Sequence, residues 1–271
     1  GAARAAATVA RPDVGCLAIM RGLSAQAMIM FIVHENVGQI FFLHVLQGFE
    51  SGSPQVALLA EAVKILRAQN VEGIACESLI VHPVDPCASL EALGFEKFER
   101  AIMRGPLDAP ALMIGLNAQR VRAIDPSEFS AAAACLAAAY EGDPGSNLHR
   151  EVATAEGALR LVESIANGTF GAFRPEYAQC AEEGGQMVSV LFGCEAVAKT
   201  GFIVQVATRR EFRGRGYAKT LLQTAAQEFR RAGMNNIALG VTLSNPARHL
   251  YERLGLTLRK SVDAYIWRHR P

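Results

Sequence analysis

The feature that most constrains the fold of this chain is an internal repeat of domain size. Two similar segments, LLAEAVKILRAQNVEGIA at 58–75 and LLQTAAQEFRRAGMNNIA at 221–238, align at a constant offset of 163 positions. A second pair, ALGF at 92–95 and RLGL at 253–256, aligns at an offset of 161. A period of this size indicates two copies of one domain rather than a solenoid of short units. The length of 271 residues also fits two domains.

The apolar pattern of the first copy predicts strands and helices. Short apolar runs separated by turn signals over 14–47 predict a strand meander whose second and third strands form a hairpin. Apolar residues recur every three or four positions over 54–70, which predicts a helix that begins at a proline. A strand over 74–81, a short helix over 86–93 and a strand over 95–103 complete this copy.

The second copy repeats this order after two helices that the first copy lacks. We expect an α+β protein with two domains, each a mostly antiparallel mixed sheet flanked by helices, over 1–108 and 119–271 with a linker over 109–118. In the second copy the pattern predicts a strand over 120–124, helices over 125–140 and 152–165, strands over 177–181, 186–192 and 201–207, a helix over 217–232, a strand over 237–243, a short helix over 245–254 and a pair of strands over 256–262 and 264–268.

Composition excludes several classes of protein. Hydrophobic residues make up 51% of the chain and charged residues 20%, which is typical of a globular protein. The formal net charge is +1, so we expect neither nucleic acid nor membrane as a partner. The longest apolar stretches, 27–33 and 40–46, are shorter than the roughly 18 to 20 residues of a membrane helix. Residues 1–12 show no apolar core of the kind found in a signal peptide.

Cysteine and histidine spacing predicts no metal site and no disulfide framework. The six cysteines are scattered without a CxxC pair, and the six histidines form no HExxH motif. A chain of this length does not need disulfides for stability, so we expect reduced thiols and a cytoplasmic location. A homodimer is compatible with the sequence, which leaves the oligomeric state open.

A basic loop with two glycines is the most informative segment. A predicted strand runs into Arg213-Gly214-Arg215-Gly216-Tyr217-Ala218, which opens an amphipathic helix. The glycines allow a tight turn, and the N–H groups of a first helical turn suit phosphate oxygens. The loop fits neither a Walker loop nor a dinucleotide fingerprint. A solvated charged face is the alternative explanation for its cations, which are Arg209, Arg210, Arg213, Arg215 and Lys219.

A second motif follows the next predicted strand. Asn245 is followed six residues later by Tyr251 and then by Leu254-Gly255-Leu256. Together with the loop over 213–218, this pattern resembles the GNAT superfamily of acyl-CoA-dependent N-acetyltransferases. The phosphate loop of that superfamily reads Gln/Arg-x-x-Gly-x-Gly/Ala, and the resemblance covers about residues 120–268.

The resemblance implies a cosubstrate and a role for each motif residue. It implies that acetyl-CoA lies where two central strands splay, against Val206 to Thr208, with its pyrophosphate on the loop over 213–218. It also implies that Asn245 contacts the cofactor and that Tyr251 is the general acid that protonates the CoA thiolate. Each of these two residues has a structural alternative, because Asn245 precedes a proline as a helix cap does and Tyr251 fits a packed core position.

A general base is not evident from the sequence. Relatives in that superfamily often place a carboxylate on the first splayed strand, but residues 201–207 contain no Asp or Glu. Glu141, Asp143 and Glu195 are the alternatives, and each is also explained as a solvated surface acid. A water relay, or an acceptor that arrives as the free amine, would serve equally.

The first copy departs from the motif. Its aligned loop reads Glu50-Ser51-Gly52-Ser53-Pro54-Gln55, so an acid replaces the leading arginine and serines replace both glycines. Pro54 also lacks an N–H that could face a phosphate. Leu90 or Glu91 stands at the position of Tyr251. We predict that this half is degenerate and serves packing or acceptor binding.

The predicted activity is transfer of an acetyl group from acetyl-CoA to the amine of a small molecule or peptide by direct attack. Backbone N–H groups near Val206 to Thr208 would stabilise the oxyanion. The alternative is a non-catalytic acyl-CoA sensor or interaction module.

Overall fold

The computed structural model describes residues 14–34, 36–49, 53–77, 80–82, 86–113, 121–142, 150–197 and 199–268. The chain forms two compact units. The N-terminal unit consists of the described residues of Gly1–Glu99 and Val262–Pro271, and the C-terminal unit consists of those of Arg100–Ser261. Each unit has one seven-stranded sheet with helices packed against it, which confirms the α+β class.

The N-terminal unit begins with three antiparallel strands and continues with helices and short strands. Its elements up to residue 99 are β1 (Val14–Arg21), β2 (Ser24–His34), β3 (Val37–Val45), α1 (Pro54–Ala68), β4 (Gly73–Cys76), β5 (Ile80–His82), α2 (Cys87–Ala92) and β6 (Glu96–Phe98). The expected hairpin is the pair β2 and β3.

The C-terminal unit has the two additional helices that the sequence predicted. Its elements are β7 (Arg100–Pro106), β8 (Val121–Ala123), α3 (Phe129–Tyr140), α4 (Ala155–Ala166), β9 (Ala178–Glu183), β10 (Gln186–Val197), β11 (Thr200–Thr208), α5 (Tyr217–Arg231), β12 (Asn236–Thr242), α6 (Arg248–Arg253) and β13 (Thr257–Ser261). The last strand of the chain, β14 (Ala264–Arg268), belongs to the N-terminal unit.

β7 and β14 do not join the sheets expected from their positions in the sequence. β7 joins the C-terminal sheet and β14 joins the N-terminal sheet. The N-terminal sheet has the order β1-β2-β3-β4-β14-β6, with β5 beside β3, and the C-terminal sheet has the order β13-β7-β12-β11-β10-β9-β8. The units therefore differ from the contiguous domains expected over 1–108 and 119–271. The strands expected to pair over 256–262 and 264–268 do not pair with each other. β13 pairs with β7, whereas β14 pairs with β4 and β6.

Two expected strands are each divided. The strand expected over 95–103 divides at Glu99 into β6 and β7, which lie in different sheets. The strand expected over 74–81 divides into β4 and β5. The linker expected over 109–118 contains a 3-10 turn at Pro110–Leu112, and 114–120 lies outside the described residues.

The repeated helices α1 and α5 each bury their apolar stripe against their own sheet. Leu58 of α1 and the aligned Leu221 of α5 are both buried, which explains why the repeat keeps leucine there. On α5 the fully buried Phe229 packs against the backbone of β11 at Gly201. A Cβ at Gly201 would collide with the ring of Phe229, so only glycine fits this position.

The central parallel strands of the C-terminal sheet separate along their length. β11 and β12 pair from Thr200 with Asn236 to Ile203 with Leu239, and the described residues of the two strands do not pair beyond that point. On the other side of β11, the residues from Gln205 to Thr208 stay paired with β10, and Val204 lies at a shift in the register. An opening therefore forms between the two strands.

Candidate functional site

A cavity of about 750 Å³ lies beside the opening between β11 and β12. Helix α5 contributes its first turn and α6 contributes residues from its length and end. The cavity is lined by Ala111, Thr208, Phe212, Arg213, Gly214, Gly216, Tyr217, Ala218, Lys219, Ala247, Leu250, Arg253 and Leu254. This set includes six of the site residues expected from the sequence, and no acidic side chain is among them.

The glycine loop shapes one wall of this cavity. Gly214 and Gly216 have φ angles of 79° and 87°, in the left-handed region that glycine adopts without strain. Gly216 is the N-cap of α5 and provides no side chain to cap the helix. The N–H groups of the first helical turn are therefore directed at the cavity without a side-chain acceptor from the N-cap, which favours an anionic ligand.

The two loop arginines already have partners within the protein. Arg213 donates from Nη2 to the carbonyl of Ala139 at 2.7 Å and from Nε to the carbonyl of Thr208 at 3.2 Å. Arg215 donates from Nη1 to Glu183 Oε1 at 3.0 Å and does not line the cavity. The sequence predicts that both guanidinium groups supply charge for a phosphate, and this stays a prediction. In the structure their hydrogen bonds hold the loop in place, and of the two only Arg213 lines the cavity.

Lys219 and Arg253 are two further cations, and they differ from Arg213 and Arg215 in their partners. Both line the cavity and both are exposed, and among the described residues none forms an ion pair with either of them. Lys219 belongs to the first turn of α5 and Arg253 is the last residue of α6. The sequence analysis did not include Arg253, because its place beside the loop depends on how α6 packs.

Tyr217 connects the glycine loop to the sheet through its side chain. It lines the cavity, but its ring is buried and its hydroxyl donates to Glu183 Oε2. Glu183 thus binds both Tyr217 and Arg215, and it ties the start of α5 to the end of β9.

Two other expected residues, Val206 and Asn245, do not line the cavity. Val206 of β11 is partly buried and packs on the apolar cluster that contains Tyr251. Asn245 accepts a hydrogen bond from the Ala247 N–H at 2.9 Å in the turn that precedes α6. The N-cap residue of α6 is Ala247, so Asn245 is not the helix cap that the sequence left as an alternative. Thr208, which does line the cavity, also contacts Ser189 Oγ through its hydroxyl at 2.7 Å.

Tyr251 is buried in the apolar cluster formed by α5, α6 and the sheet. Burial raises the pKa of Tyr251 above its ordinary value, with a smaller contribution from Tyr140. None of the described residues forms a hydrogen bond with its hydroxyl. A buried hydroxyl of this kind stays protonated at neutral pH, so it can donate a proton or a hydrogen bond to a ligand.

Tyr140 stands on the opposite face of the sheet. It packs against the α3 and α4 cluster together with Val204 and Ala207, whereas Val206 packs with the Tyr251 cluster. These β11 residues therefore face two different clusters, and the register shift opposite Val204 explains why Val204 and Val206 do not share a face. The Tyr140 hydroxyl donates to Gln205 Oε1 at 2.9 Å. The sequence analysis missed both residues of this hydrogen bond, because nothing in the local pattern brings α3 to β11.

The three candidate general bases are Glu195, Glu141 and Asp143, and they lie in different parts of the chain. Glu195 accepts hydrogen bonds from Arg174 Nε and from the Tyr177 hydroxyl, each at 2.8 Å, and it pairs with Gly201 at the end of β11 remote from Thr208. Glu141 is exposed directly after Tyr140 at the end of α3. Asp143 lies outside the described residues.

Metal and membrane sites are not seen in the part of the chain that the structure describes. No group of three or more His, Cys, Asp or Glu side chains there could hold a metal ion. No described helix has both the length and the hydrophobicity to cross a bilayer. All six cysteines are free thiols.

Comparison with known proteins points to one family. Residues 151–256 match the sequence model of the acetyltransferase (GNAT) family. This range contains the glycine loop, α5, β12 and α6, so it covers every residue placed at the cavity except Ala111. No curated protein sequence matches the chain.

Solved structures match the whole chain at low sequence identity. A GCN5-related N-acetyltransferase from Sphaerobacter thermophilus is 20% identical, with a TM-score of 0.69 over 96% of this chain and 81% of that one. A tandem GNAT protein from the clavulanic acid biosynthesis pathway is 13% identical, with a TM-score of 0.56 over 97% and 85%. A GCN5-related glucosamine N-acetyltransferase region of a fungal β-N-acetylglucosaminidase is 16% identical, with a TM-score of 0.62 over 94% of this chain and 33% of that one. These likenesses show the fold.

Proposed function

We propose that this chain, a tandem protein of the GNAT superfamily, transfers an acetyl group from acetyl-CoA to an amine in its C-terminal unit. The observation that carries the proposal is the opening between β11 and β12 beyond Ile203, next to a cavity bordered by the glycine loop. The family usually uses acetyl-CoA as its cosubstrate, and the acceptor is a small molecule or a peptide.

The residues present fit an acyl-CoA. The first turn of α5 presents N–H groups to the cavity, and a helix N-terminus attracts a pyrophosphate. β11 leaves one side of its backbone from Val204 to Thr208 without a partner strand, so an extended chain of alternating amides can pair there. The bound thioester would supply the activated acetyl group.

Within this arrangement the residues of the C-terminal unit perform three tasks. Backbone N–H groups of β11 near Val206 to Thr208 stabilise the negative charge that develops on the carbonyl oxygen. Tyr251, which stays protonated because burial raises its pKa, donates its proton to the departing thiolate. Asn245 accepts a hydrogen bond from the Ala247 N–H and so holds the turn that leads into α6, the helix that carries Tyr251.

The acceptor amine reaches the opening from the face that carries Tyr140. Tyr140 and Gln205 are hydrogen-bonded there, on the side opposite to Tyr251 and the cavity. Glu195 is held by Arg174 and Tyr177, so it is not the base. Attack by an amine that arrives unprotonated, or proton loss to water or to the exposed Glu141, needs no further side chain.

The N-terminal unit takes no part in acyl-CoA binding. Its loop lacks both motif glycines, and α1 begins at a proline that has no N–H. In addition, β5 pairs with β3 at the positions that are open on β11. The chain therefore binds one acetyl-CoA.

A second candidate function is non-catalytic acyl-CoA binding. It is favoured by one observation, which is that β11 carries no carboxylate, with Gln205 in the open part of the strand. In this case the cavity binds acyl-CoA and no acetyl transfer follows.

An acetyl-CoA turnover screen separates the two functions. The purified chain is mixed with acetyl-CoA and a panel of amines, amino sugars, aminoglycosides, amino acids and peptides, and release of the CoA thiol is measured. We expect at least one acceptor to give release above the hydrolysis background, and the Tyr251→Phe variant to serve as the matched control. Tight acetyl-CoA binding without release from any acceptor would favour the non-catalytic module.

A further inference from the structure

The cations of the glycine loop and of the cavity fall into two groups according to their partners. Arg213 and Arg215 are bonded to carbonyl and carboxylate oxygens of the protein. Lys219 and Arg253 line the cavity, and none of the described residues forms an ion pair with them. The cavity lining contains no Asp or Glu, so the positive charge of these two side chains is not balanced inside the cavity.

The position of Lys219 is unfavourable for the protein alone. It lies in the first turn of α5, where the helix dipole is positive and a cation is destabilising. No acidic residue is present in this turn to offset the charge. An anion that occupies the cavity would offset the charge of Lys219, because Lys219 lines that cavity.

The residues that line the cavity limit the kind of anion that can bind there. Besides the cations and the glycine loop, the lining includes apolar side chains, among them Phe212, Leu250 and Leu254. Apolar walls with cations on two helices suit a molecule that combines a flat heterocycle with a charged phosphate. The proposed function provides such a molecule, since acyl-CoA carries an adenine and a 3′-phosphate in addition to its pyrophosphate.

We infer that Lys219 and Arg253 form a binding site for the ribose 3′-phosphate of the acyl-CoA, so the chain discriminates CoA from its 3′-dephosphorylated form. This inference rests on the proposed function and adds the residues that select the cosubstrate. The α5 N–H groups bind the pyrophosphate, and the two cations bind the phosphate monoester. A phosphate monoester carries about −1.5 to −2 charges at pH 7, so it matches two cations.

Calorimetry with two ligands tests the inference. Acetyl-CoA and acetyl-3′-dephospho-CoA are titrated into wild type, into Lys219→Gln, into Arg253→Gln and into the double variant. Wild type should prefer acetyl-CoA by about tenfold or more, since a charge-assisted hydrogen bond contributes roughly 1.5–3 kcal/mol. Each single variant should reduce this preference, and the double variant should bind both ligands equally, with unchanged affinity for the dephosphorylated one.

Arg210→Gln is the matched control. Arg210 is an exposed cation of the 3-10 turn that precedes the loop, and it does not line the cavity. Its loss should leave the preference of wild type intact. Because Lys219 and Arg253 are exposed, the variants should fold with melting temperatures no lower than that of wild type, and this is measured on the same samples.

Other outcomes of the titrations would overturn either the 3′-phosphate site or the proposed function. Equal affinity of wild type for both ligands would overturn the 3′-phosphate site and leave the proposed function intact. An equal loss of affinity for both ligands in the variants would also overturn the 3′-phosphate site, because this result would place the two cations at the pyrophosphate. Failure of wild type to bind either ligand would overturn the proposed function itself.

Discussion

Phe42 of β3 is paired in parallel with Ile80 of β5, whereas no described strand pairs with the aligned Gln205 of β11 on the corresponding side. The two units are otherwise alike at this point, since Gln39 pairs with Ala75 as Phe202 pairs with Ala238. In the N-terminal unit the chain therefore closes its own opening with β5. In the C-terminal unit the same side of the strand stays accessible.

This difference predicts the number of acetyl-CoA molecules that bind. A backbone already hydrogen-bonded to β5 has no free N–H or C=O groups for an extended ligand. Calorimetry should find one acetyl-CoA per chain, and the affinity should fall with salt because the ligand is anionic. Binding of acetyl-CoA at two equivalent sites would contradict this prediction, because the second site would require β5 to separate from β3.

Replacing Gly216 by valine should abolish acetyl-CoA binding. The φ of 87° at Gly216 disfavours a β-branched residue, and its side chain would extend into the cavity at the N-terminus of α5. Gly233→Val is the matched control, because Gly233 follows the other end of α5 with a φ of 79° and does not line the cavity. Both variants should lose stability to a similar degree, of about 1–2 kcal/mol. Only Gly216→Val should lose binding, and equal binding by the two variants would contradict the phosphate loop.

Replacing Arg213 by glutamine should act on the fold of the loop and not on its charge. The variant loses hydrogen bonds to the carbonyls of Ala139 and Thr208, so we expect the melting temperature to fall, with a loss of about 1 kcal/mol or more. The salt dependence of acetyl-CoA affinity should stay as in wild type, because the guanidinium is bonded within the protein. A shallower salt dependence in Arg213→Gln would show that Arg213 contacts a phosphate.

Replacing Tyr251 by phenylalanine separates catalysis from packing. No described residue is hydrogen-bonded to the Tyr251 hydroxyl, so its removal should leave the melting temperature and the acetyl-CoA affinity near those of wild type. The kcat should fall by roughly 10²-fold, the usual size of a lost acid catalyst. Measurement of kcat, affinity and melting temperature on one preparation distinguishes the roles. An unchanged kcat would contradict the role of general acid.

The pH profile follows from the pKa of Tyr251. An ordinary tyrosine has a pKa of about 10, and burial raises that of Tyr251 above this value. The acid form is the protonated one, so it persists as the pH rises past 10. With an active acceptor, kcat should therefore rise or stay level between about pH 8 and 10 as the amine loses its proton. A decline of kcat across this range in wild type, absent from Tyr251→Phe, would show that the pKa of Tyr251 is lower.

The sequence by itself determined the elements and the motif. The 163-residue offset, the period of α1 and α5, and the glycines at 214 and 216 depend on neighbours a few positions away, so they are readable without the fold. The N-cap position of Gly216 at the start of α5 and the buried faces of Leu58 and Leu221 agree with that interpretation.

Only the tertiary structure decided which strands pair and which charges are used. An apolar run such as 100–106 or 264–268 shows that a strand forms, but its partner is chosen by packing with residues far away in sequence. The same reason explains why Arg213 binds Ala139, why Arg253 reaches the cavity and why β5 closes one opening of the two. Local periodicity fixes local structure, whereas a long-range contact exists only once the chain has folded.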